Sequence, residues 1–278
     1  RPPRSTPLYS SAASDVYKRQ GIGGLTVAQA INRLLPKEQC IYVGDTAHMP
    51  YGDKSIDLIR HFSFCISEYL LNVYNCKALV IACNTASAAA YEFLRDKLKG
   101  KVPVINVIDP MVEFVINQEN IHHVGIIATK TTIQSGIYQE KFSRRKKDLK
   151  YSALATPLLA PMIEEGFYNN TISNAVLHEY LDMAELKGID SLILGCTHYP
   201  LIKNEIESFY DQKVRVIDSA EVVAKKLKTI LEKENMLNIT NNKKQNLFFV
   251  TDYSVHFERT TKLFYGEAIA LEKITISE

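Results

Sequence analysis

The sequence predicts an α/β fold with two similar doubly wound α/β domains, whose mainly parallel sheets face a shared cleft. Apolar runs of strand length alternate with segments of helical period, which is typical of parallel sheets joined by right-handed crossovers. Two stretches, residues 79–86 and 192–202, share one layout: an apolar strand, a small residue, a cysteine, and hydrogen-bonding side chains before a helix. This repeat indicates two like halves that each present one cysteine to the cleft.

The same alternation places the individual elements. Apolar runs bounded by polar or turn residues predict strands, and apolar residues at helical spacing predict the helices between them. The strands are expected at 39–43, 77–82, 102–106, 123–128, 151–155, 192–194, 214–217 and 247–251. The main helices are expected after the glycine-rich turn 21–24, at 55–75, 86–97, 171–187 and 220–234, and from Pro200 to Tyr210.

Composition narrows the range of partners. The 278 residues include 33 basic and 31 acidic side chains, a net charge of +2, which predicts a small-molecule ligand and no nucleic-acid partner. No apolar run approaches the roughly 18 to 20 residues that span a bilayer, so we expect no membrane partner. Five cysteines without a CxxC pair or secretory signal indicate reduced thiols and a cytoplasmic location, not a disulfide framework or structural zinc site.

Two cysteines stand at strand ends. Cys83 and Cys196 each follow an apolar strand, at the edge of an open α/β sheet where ligands bind, and the next helix offers N–H groups that favour a thiolate. A buried, inert thiol is the commoner role of one such residue. Two thiols on matching turns instead favour acid/base chemistry, in which one removes a proton from a carbon centre and the other delivers one to the opposite face.

Neighbouring side chains fit such a site. Asn84, Thr85 and Thr197 are placed to bind the carboxylate and amine of an amino acid, and no lysine motif indicates pyridoxal, so we expect no cofactor. His198 could ionise Cys196 or be a structural histidine, and the spacing alone does not decide. A Cys–His hydrolase and a zinc site remain alternatives, although hydrolysis leaves the second cysteine unexplained and zinc lacks paired ligand spacing.

Three polar turns have both a functional and a structural interpretation. The glycine-rich turn 21–24 could bring N–H groups to an anion, but it lacks the GxGxxG spacing and could equally be a tight turn. The long loop 44–53 is typical of functional loops, whereas for His48 within it we favour a plain surface role. The hydroxyls of 129–132 could hold a carboxylate, but helix capping is their commoner role.

Four motifs in order resemble the glutamate racemases of the aspartate/glutamate racemase superfamily. They are GIGGLTV at 21–27, PYG at 50–52, ACNTA at 82–86 and LGCTHYP at 194–200, and the resemblance covers nearly all of residues 21–252. It implies two domains, the first formed by 21–103 and 214–278 and the second by 104–213. Residues 1–20 match nothing there, and we interpret them as a non-native leader that replaces a first strand.

The resemblance implies interconversion of L- and D-glutamate without a cofactor, which supplies D-glutamate for peptidoglycan. Cys83 would take the α-proton from D-glutamate and Cys196 from L-glutamate, assisted by Glu164 and His198. The residues that match substrate contacts are Tyr51, Gly52, Asn84, Thr85, Thr197 and His198. A homodimer is compatible with this interpretation. The alternatives are a related two-cysteine racemase for aspartate or another amino acid, and a catalytically impaired glutamate-binding protein.

One departure predicts impaired catalysis. The resembled family has Asp-Ser directly before the glycine-rich turn, whereas this chain has Arg19 and Gln20. We expect the Arg19→Asp, Gln20→Ser double variant to racemise glutamate faster than the unaltered chain, because it restores a carboxylate that assists a thiol and a hydroxyl that contacts substrate. Steady-state rates of the two proteins check this, and equal rates would contradict it.

Overall fold

The computed structural model describes residues 7–12, 23–49, 51–240, 245–253 and 261–276, with the backbone alone at 7–12 and at position 53. Its strands are β1 (Pro7–Ala12), β2 (Gln39–Gly44), β3 (Leu79–Ile81), β4 (Val104–Asn106), β5 (His123–Ala128), β6 (Lys150–Ala155), β7 (Ser191–Gly195), β8 (Arg215–Asp218), β9 (Leu247–Val250) and β10 (Glu272–Lys273). They form two sheets in which every described pair is parallel, with the orders β10-β9-β2-β1-β3-β4 and β6-β5-β7-β8. The predicted α/β class is confirmed.

Helices connect and cover the two sheets. They are α1 (Gly24–Leu34), α2 (Ile56–Tyr74), α3 (Asn84–Lys97), α4 (Ile108–Ile116), α5 (Lys130–Gln134), α6 (Ile137–Arg145), α7 (Leu159–Glu164), α8 (Thr171–Leu181), α9 (Lys203–Phe209) and α10 (Ser219–Lys233). Short 3₁₀ helices lie at Tyr51–Asp53, Ala184–Leu186 and Tyr199–Ile202. Of the helices in the described ranges, none is long and apolar enough to cross a bilayer.

Both sheets contain the same four-strand pattern. The order β2-β1-β3-β4 in the first sheet corresponds to β6-β5-β7-β8 in the second, so the third strand of each set is β3 in one and β7 in the other. Cys83 lies just beyond β3, and Cys196 directly follows β7. The repeat inferred from two short sequence matches is therefore a repeat of the fold, because equivalent strands deliver the two cysteines to equivalent sheet edges.

Strand membership corrects both predicted domain junctions. Val104 was expected to open the second domain, but β4 pairs with β3 in the first sheet. Residue 214 was expected to begin the return to the first domain, but β8 pairs with β7 in the second. Both strands are short apolar runs without a flanking linker, so composition could not assign them to a sheet. The return to the first sheet is made by β9, which pairs with β2.

The segment interpreted as a leader takes part in the fold. The β1 backbone runs parallel to β2 from Pro7 to Ala12 and also pairs with β3, so it occupies a central position in the first sheet. Residues 7–12 of the segment interpreted as a replacement for a first strand therefore form such a strand themselves. Whether residues 1–20 are native stays a prediction.

Two predicted helices are interrupted. The segment 171–187 is helical only to Leu181, after which Met183 is extended and a 3₁₀ turn follows. This break lets buried Leu186 pack beside Gly125 of β5, 3.2 Å from where a Cβ would lie. After Cys196, Pro200 lies in a 3₁₀ helix, and the α-helix begins only at Lys203. The first break carries no glycine or proline signal. Pro200 in the second is equally compatible with the first turn of an α-helix, so it does not identify the break in advance.

The two halves share a buried core. One cluster of buried side chains includes Leu25 and Ile81 from the first half and Leu194 and Tyr199 from the second, together with both strand-end cysteines. Helix α10 follows the second sheet but packs along α1 and against α4. Burial of apolar surface, the dominant favourable contribution to folding, therefore also holds the halves in contact.

A buried ion pair fastens the amino-terminal ends of the first sheet. Lys77 precedes β3, and its Nζ lies 2.7 Å from Glu38 Oε2 at the start of β2, with both side chains almost fully buried. The Lys77 ammonium also donates to the Met236 carbonyl at 2.5 Å, and the backbone N–H of Asn238 donates to Glu38 Oε1 at 2.7 Å. The pair thus ties the chain beyond α10 to two strands of the first sheet.

We expect Lys77→Met to lower the free energy of unfolding by about 3 to 5 kcal/mol, because it leaves the Glu38 carboxylate buried without its cation. Urea unfolding with a shared m value measures the loss. The matched control is Lys213→Met, whose partner Asp211 is exposed, and it should cost at most about 1 kcal/mol. Equal losses in the two variants would contradict a structural role for the buried pair.

Candidate active site

The two cysteines end equivalent strands and are equally buried. Cys83 has an extended backbone and is the N-cap residue of α3, and Cys196 lies between β7 and the 3₁₀ helix that starts at Tyr199. Each exposes 5% of its surface. The N-terminus of α3 presents backbone N–H groups and the positive end of a helix dipole beside Cys83, which favours negative charge there.

The turn that carries Cys83 is held by the second half. The Thr85 hydroxyl lies 3.2 Å from that of Thr129 and 3.5 Å from that of Thr132, at the turn after β5. The Tyr138 hydroxyl donates to Asn84 Oδ1 at 2.8 Å. Two of these residues follow β3 and three follow β5, strands that sequence alone could not place side by side. Their contacts hold the start of α3 against α5 and α6.

The turn that carries Cys196 is held by the first half. Gly23, at the start of α1, packs so closely that an added Cβ would lie 2.5 Å from Thr197 Oγ1 and 2.6 Å from the His198 ring. The Thr26 hydroxyl donates to the Thr197 carbonyl at 3.1 Å. The glycine-rich turn is therefore required here for close approach, while its first two residues, 21 and 22, lie outside the described ranges.

These contacts are reciprocal. The helix after the first strand, β1, contacts the cysteine turn after β7, and the turn after the equivalent strand, β5, contacts the cysteine turn after β3. We call the contact surface between the two halves, along which each cysteine turn meets the opposite half, the seam. Both thiols lie at this seam and within one buried cluster. The predicted shared cleft corresponds to this seam.

A buried relay connects Cys196 to a carboxylate. His198 Nδ1 lies 3.4 Å from Cys196 Sγ, and His198 Nε2 lies 2.8 Å from Glu164 Oε1 at the end of α7. Glu164 is 6% exposed and His198 is 1% exposed, and Phe264 packs edge-on against the imidazole ring. The two ring nitrogens are thus occupied by a thiol and a carboxylate, so His198 contacts Cys196 directly.

Opposing effects act on the His198 pKa. Burial lowers it, but the charges of Cys196 and Glu164 and their hydrogen bonds outweigh burial and raise the pKa to about 10. The imidazole is therefore protonated at neutral pH. A positive charge next to a thiol favours the thiolate, the form of cysteine that acts as base or nucleophile.

Tyr51 and Gly52 form a 3₁₀ turn that is anchored on both sides. The buried Tyr51 hydroxyl donates to Asp45 Oδ2 at 2.6 Å, and the Thr131 hydroxyl donates to the Gly52 carbonyl. Burial, followed by the charge of Asp45, raises the pKa of Tyr51 well above its usual value. The turn is therefore held by a neutral phenol on one side and by the second half on the other.

Asp45 lies in the loop 44–53, where the sequence left both a functional and a plain turn role open for it, and its contacts support the site. Besides the Tyr51 hydroxyl, it binds His48 Nδ1 at 2.8 Å and the Thr251 hydroxyl at 2.9 Å. His48, for which we favoured a plain surface role, is only partly exposed and stacks on Phe62. The one available signal was the position of Asp45 directly after β2, where polar residues of open sheets gather.

The threonines after β5 do more than the capping favoured from sequence. Thr129 does cap α5, since its hydroxyl accepts from the Thr132 amide at 3.4 Å. The hydroxyls of Thr129 and Thr132 also contact Thr85, and Thr131 contacts Gly52. Three hydroxyls in four residues at a strand end were the signal for this second role.

The seam contains a donor suited to an anionic ligand. Asn84 is 3% exposed, and its Nδ2 is buried with no hydrogen-bond partner in the part of the chain that the structure describes. Such an orphaned donor is costly unless something accepts from it. Together with the hydroxyls of Thr85 and Thr197, it makes the surroundings of the two thiols suitable for a carboxylate.

Three further residues of the sequence predictions have no described structure. Arg19, Gln20 and Pro50 lie outside the described ranges. Within those ranges, no three histidine, cysteine or acidic side chains come together in a way that could hold a metal ion.

Comparisons with known proteins identify the family of this chain. Residues 23–227 match the family described as Asp/Glu/Hydantoin racemase. The glutamate racemase of Sulfurihydrogenibium sp. (strain YO3AOP1) is 41% identical over 258 residues, which cover 93% of this chain and 95% of that protein. The glutamate racemase of Bacillus cereus (strain ATCC 10987 / NRS 248) is 38% identical over 249 residues, covering 90% and 91%.

Solved structures give the same result. The glutamate racemase of Francisella tularensis subsp. tularensis SCHU S4, in complex with D-glutamate, has a TM-score of 0.88, 35% identity and 98% coverage of both chains. A glutamate racemase isoform of Bacillus anthracis has a TM-score of 0.87 and 33% identity, covering 99% of this chain and 98% of that one. The chain therefore belongs to the aspartate/glutamate racemase family, and within it to the glutamate racemases.

Proposed function

We propose that this protein interconverts L- and D-glutamate without a cofactor, with Cys83 and Cys196 as its two acid/base groups. One observation supports the proposal above others: two buried cysteines end equivalent strands of two like halves and meet one seam, where each turn is held by the opposite half. A reaction that inverts a carbon centre needs such a pair of opposed groups, whereas hydrolysis by a Cys–His pair would use only one.

The seam also contains donors that would stabilise the negative charge formed during proton removal. Removal of the α-proton of an amino acid shifts negative charge onto its carboxylate, and prearranged donors stabilise that charge in a site from which water is excluded. Asn84 Nδ2 and the hydroxyls of Thr85 and Thr197 are buried donors of this kind. We assign the α-carboxylate to this group and the rest of the substrate to the turn formed by Tyr51 and Gly52.

His198 and Glu164 would act on Cys196. When Cys196 removes the α-proton from L-glutamate, it must begin as a thiolate, and when it protonates the carbanion in the reverse direction, it must end as one. The imidazolium 3.4 Å from its sulfur stabilises the thiolate in both cases, and Glu164 keeps that imidazolium charged and oriented. Cys83 would act on D-glutamate, next to the N-terminus of α3.

The relatives support the choice of glutamate as the substrate. Those compared above are bacterial glutamate racemases, and one was solved with D-glutamate. We assign the protein to the cytoplasm, where it would supply D-glutamate for peptidoglycan. The assembly into a homodimer stays a prediction.

Exchange of the α-proton with D₂O tests the two-thiol mechanism. We expect Cys83→Ser and Cys196→Ser each to lower racemisation roughly 10²- to 10⁴-fold, the usual contribution of a positioned acid or base. Residual exchange should favour L-glutamate in Cys83→Ser, which keeps Cys196, and D-glutamate in Cys196→Ser.

The matched control for this experiment is Cys65→Ser, which changes a partly exposed cysteine of α2. It should racemise glutamate like the parent protein. All variants are compared in the unaltered chain and with Arg19→Asp, Gln20→Ser, so that slow turnover caused by positions 19 and 20 is recognised. Racemisation by the double cysteine variant at the parent rate would overturn the mechanism, and faster turnover of aspartate than of glutamate would overturn the substrate.

The charge of His198 predicts how stability depends on pH. Its pKa is raised from 6.5 to about 10 in the folded protein, so the folded state holds one proton more than the unfolded state between those values. This stabilisation is complete below pH 6.5 and is lost as pH rises to 10, with a slope of up to about 1.4 kcal/mol per pH unit.

Unfolding free energies of the parent protein and His198→Gln, measured from pH 6.5 to 10, check this prediction. The parent should lose stability more steeply than His198→Gln, which has no proton to release. Glu164→Gln should shift the loss to lower pH, because it removes one of the charges that raise the pKa. Parallel pH profiles for the parent and His198→Gln would contradict a protonated His198.

A further inference from the structure

The amide of Asn84 has two chemically opposite ends, and one side chain determines their orientation. Its oxygen, Oδ1, accepts from the Tyr138 hydroxyl at 2.8 Å, while its nitrogen, Nδ2, is buried and has no partner among the described residues. An amide nitrogen only donates and an amide oxygen only accepts. The orientation of this amide therefore decides whether the seam offers a donor or an acceptor to a ligand.

The Tyr138 hydroxyl is a dependable donor. Burial, followed by the charges of Tyr151 and Asp109, raises the pKa of Tyr138 far above its usual value, so the phenol keeps its proton. If the Asn84 amide were flipped, the Tyr138 hydroxyl oxygen could accept a hydrogen bond from Nδ2. The hydroxyl proton would then lose Oδ1, its present acceptor. Oδ1 would then be the end left without a donor, and an acceptor there would repel a carboxylate.

Tyr138 is itself rigidly held. It lies in the first turn of α6, just after Gly136, whose φ of 64° lies in the left-handed region. Its side chain is 2% exposed and its ring packs against Phe142, which in turn packs against Tyr151. Because α6 belongs to the second half and Asn84 opens α3 in the first, the hydrogen bond crosses the seam.

We infer that Tyr138 is a positioning residue, which holds the Asn84 amide with its nitrogen toward the α-carboxylate of the amino-acid substrate. The inference rests on the proposed function, since it names the group that Asn84 binds. A residue of the second half would thereby orient a hydrogen-bond donor of the first half toward the substrate. Without the hydroxyl, the substrate would have to select the productive amide orientation from two.

Tyr138→Phe tests the inference, with Tyr151→Phe as its matched control. Both variants remove one hydroxyl from the same aromatic cluster, but only Tyr138 contacts Asn84. We expect Tyr138→Phe to raise KM for glutamate roughly 10-fold with a smaller fall in kcat, and Tyr151→Phe to stay within about twofold of the parent in both constants. Thermal unfolding shows whether each variant is folded.

A double variant separates positioning from general structural damage. If Tyr138 acts through Asn84, adding Tyr138→Phe to Asn84→Ala should change kcat/KM by no more than about twofold, because the amide that it orients is gone. The inference would be overturned if the double variant lowered kcat/KM by the product of the two single effects. It would also be overturned if Tyr138→Phe alone left KM and kcat unchanged.

Asn84→Asp provides a measurement that does not depend on the folding of Tyr138→Phe. It keeps the shape of the side chain and an acceptor for the Tyr138 hydroxyl but replaces the donor with a carboxylate oxygen. We expect calorimetry to show at least about 10-fold weaker glutamate binding by the folded variant, because the donor is lost. Thermal unfolding checks that the buried carboxyl group leaves the variant folded, and parent-like binding would overturn the inference.

The two proposals fail in different ways. A protein that binds glutamate but exchanges its α-proton neither in the unaltered chain nor with Arg19→Asp, Gln20→Ser would overturn the proposed function, and the binding affinities of the variants would still decide the role of Tyr138. A parent that exchanges the proton while Tyr138→Phe matches it in KM and kcat would overturn only the role of Tyr138. A parent that neither binds nor exchanges glutamate would overturn both.

Discussion

Gly23 packs against Thr197 and His198 at a distance that leaves no room for a methyl group, and the rest of the site depends on that approach. On the other side of the seam, Thr85 meets the hydroxyls of Thr129 and Thr132. Each cysteine turn is thus held by the half that does not contain it. A structure of either half alone would lack the contacts that position its own thiol, so the site is a property of the interface between the halves.

The electrostatics of the seam follow from its burial. Taking a histidine out of water disfavours its charged form, yet His198 remains an imidazolium because a carboxylate and a thiol occupy both of its ring nitrogens. In low-dielectric surroundings such charge pairs interact strongly. A buried donor such as Asn84 Nδ2, which has no acceptor among the residues that the structure describes, is costly until a ligand accepts from it. The same burial that makes these groups costly also makes them effective toward a carboxylate.

The repeated strand order explains why the site has two thiols. Equivalent strands, β3 and β7, end in Cys83 and Cys196, and the elements after β1 and β5 reach across to the opposite turn. The surroundings of the two cysteines differ: Cys196 lies next to a histidine that binds a glutamate, whereas Cys83 is the N-cap residue of α3. Two like scaffolds can in this way give two like groups different environments, which is what an acid/base pair needs.

Periodicity and turn residues predicted the α/β class, most of the strands and the two cysteine turns, because these are local properties of short segments. They also predicted the direct neighbours of each thiol, Asn84, Thr85 and Thr197. Sequence could not assign β4 and β8 to their sheets, since strand pairing depends on partners far along the chain. It left His198 and Asp45 undecided and did not single out Tyr138, because the contacts of these three residues come from side chains 34, 6 and 54 positions away. The residue types at the strand ends were set by sequence, whereas the packing of one half on the other decided which of them form a site.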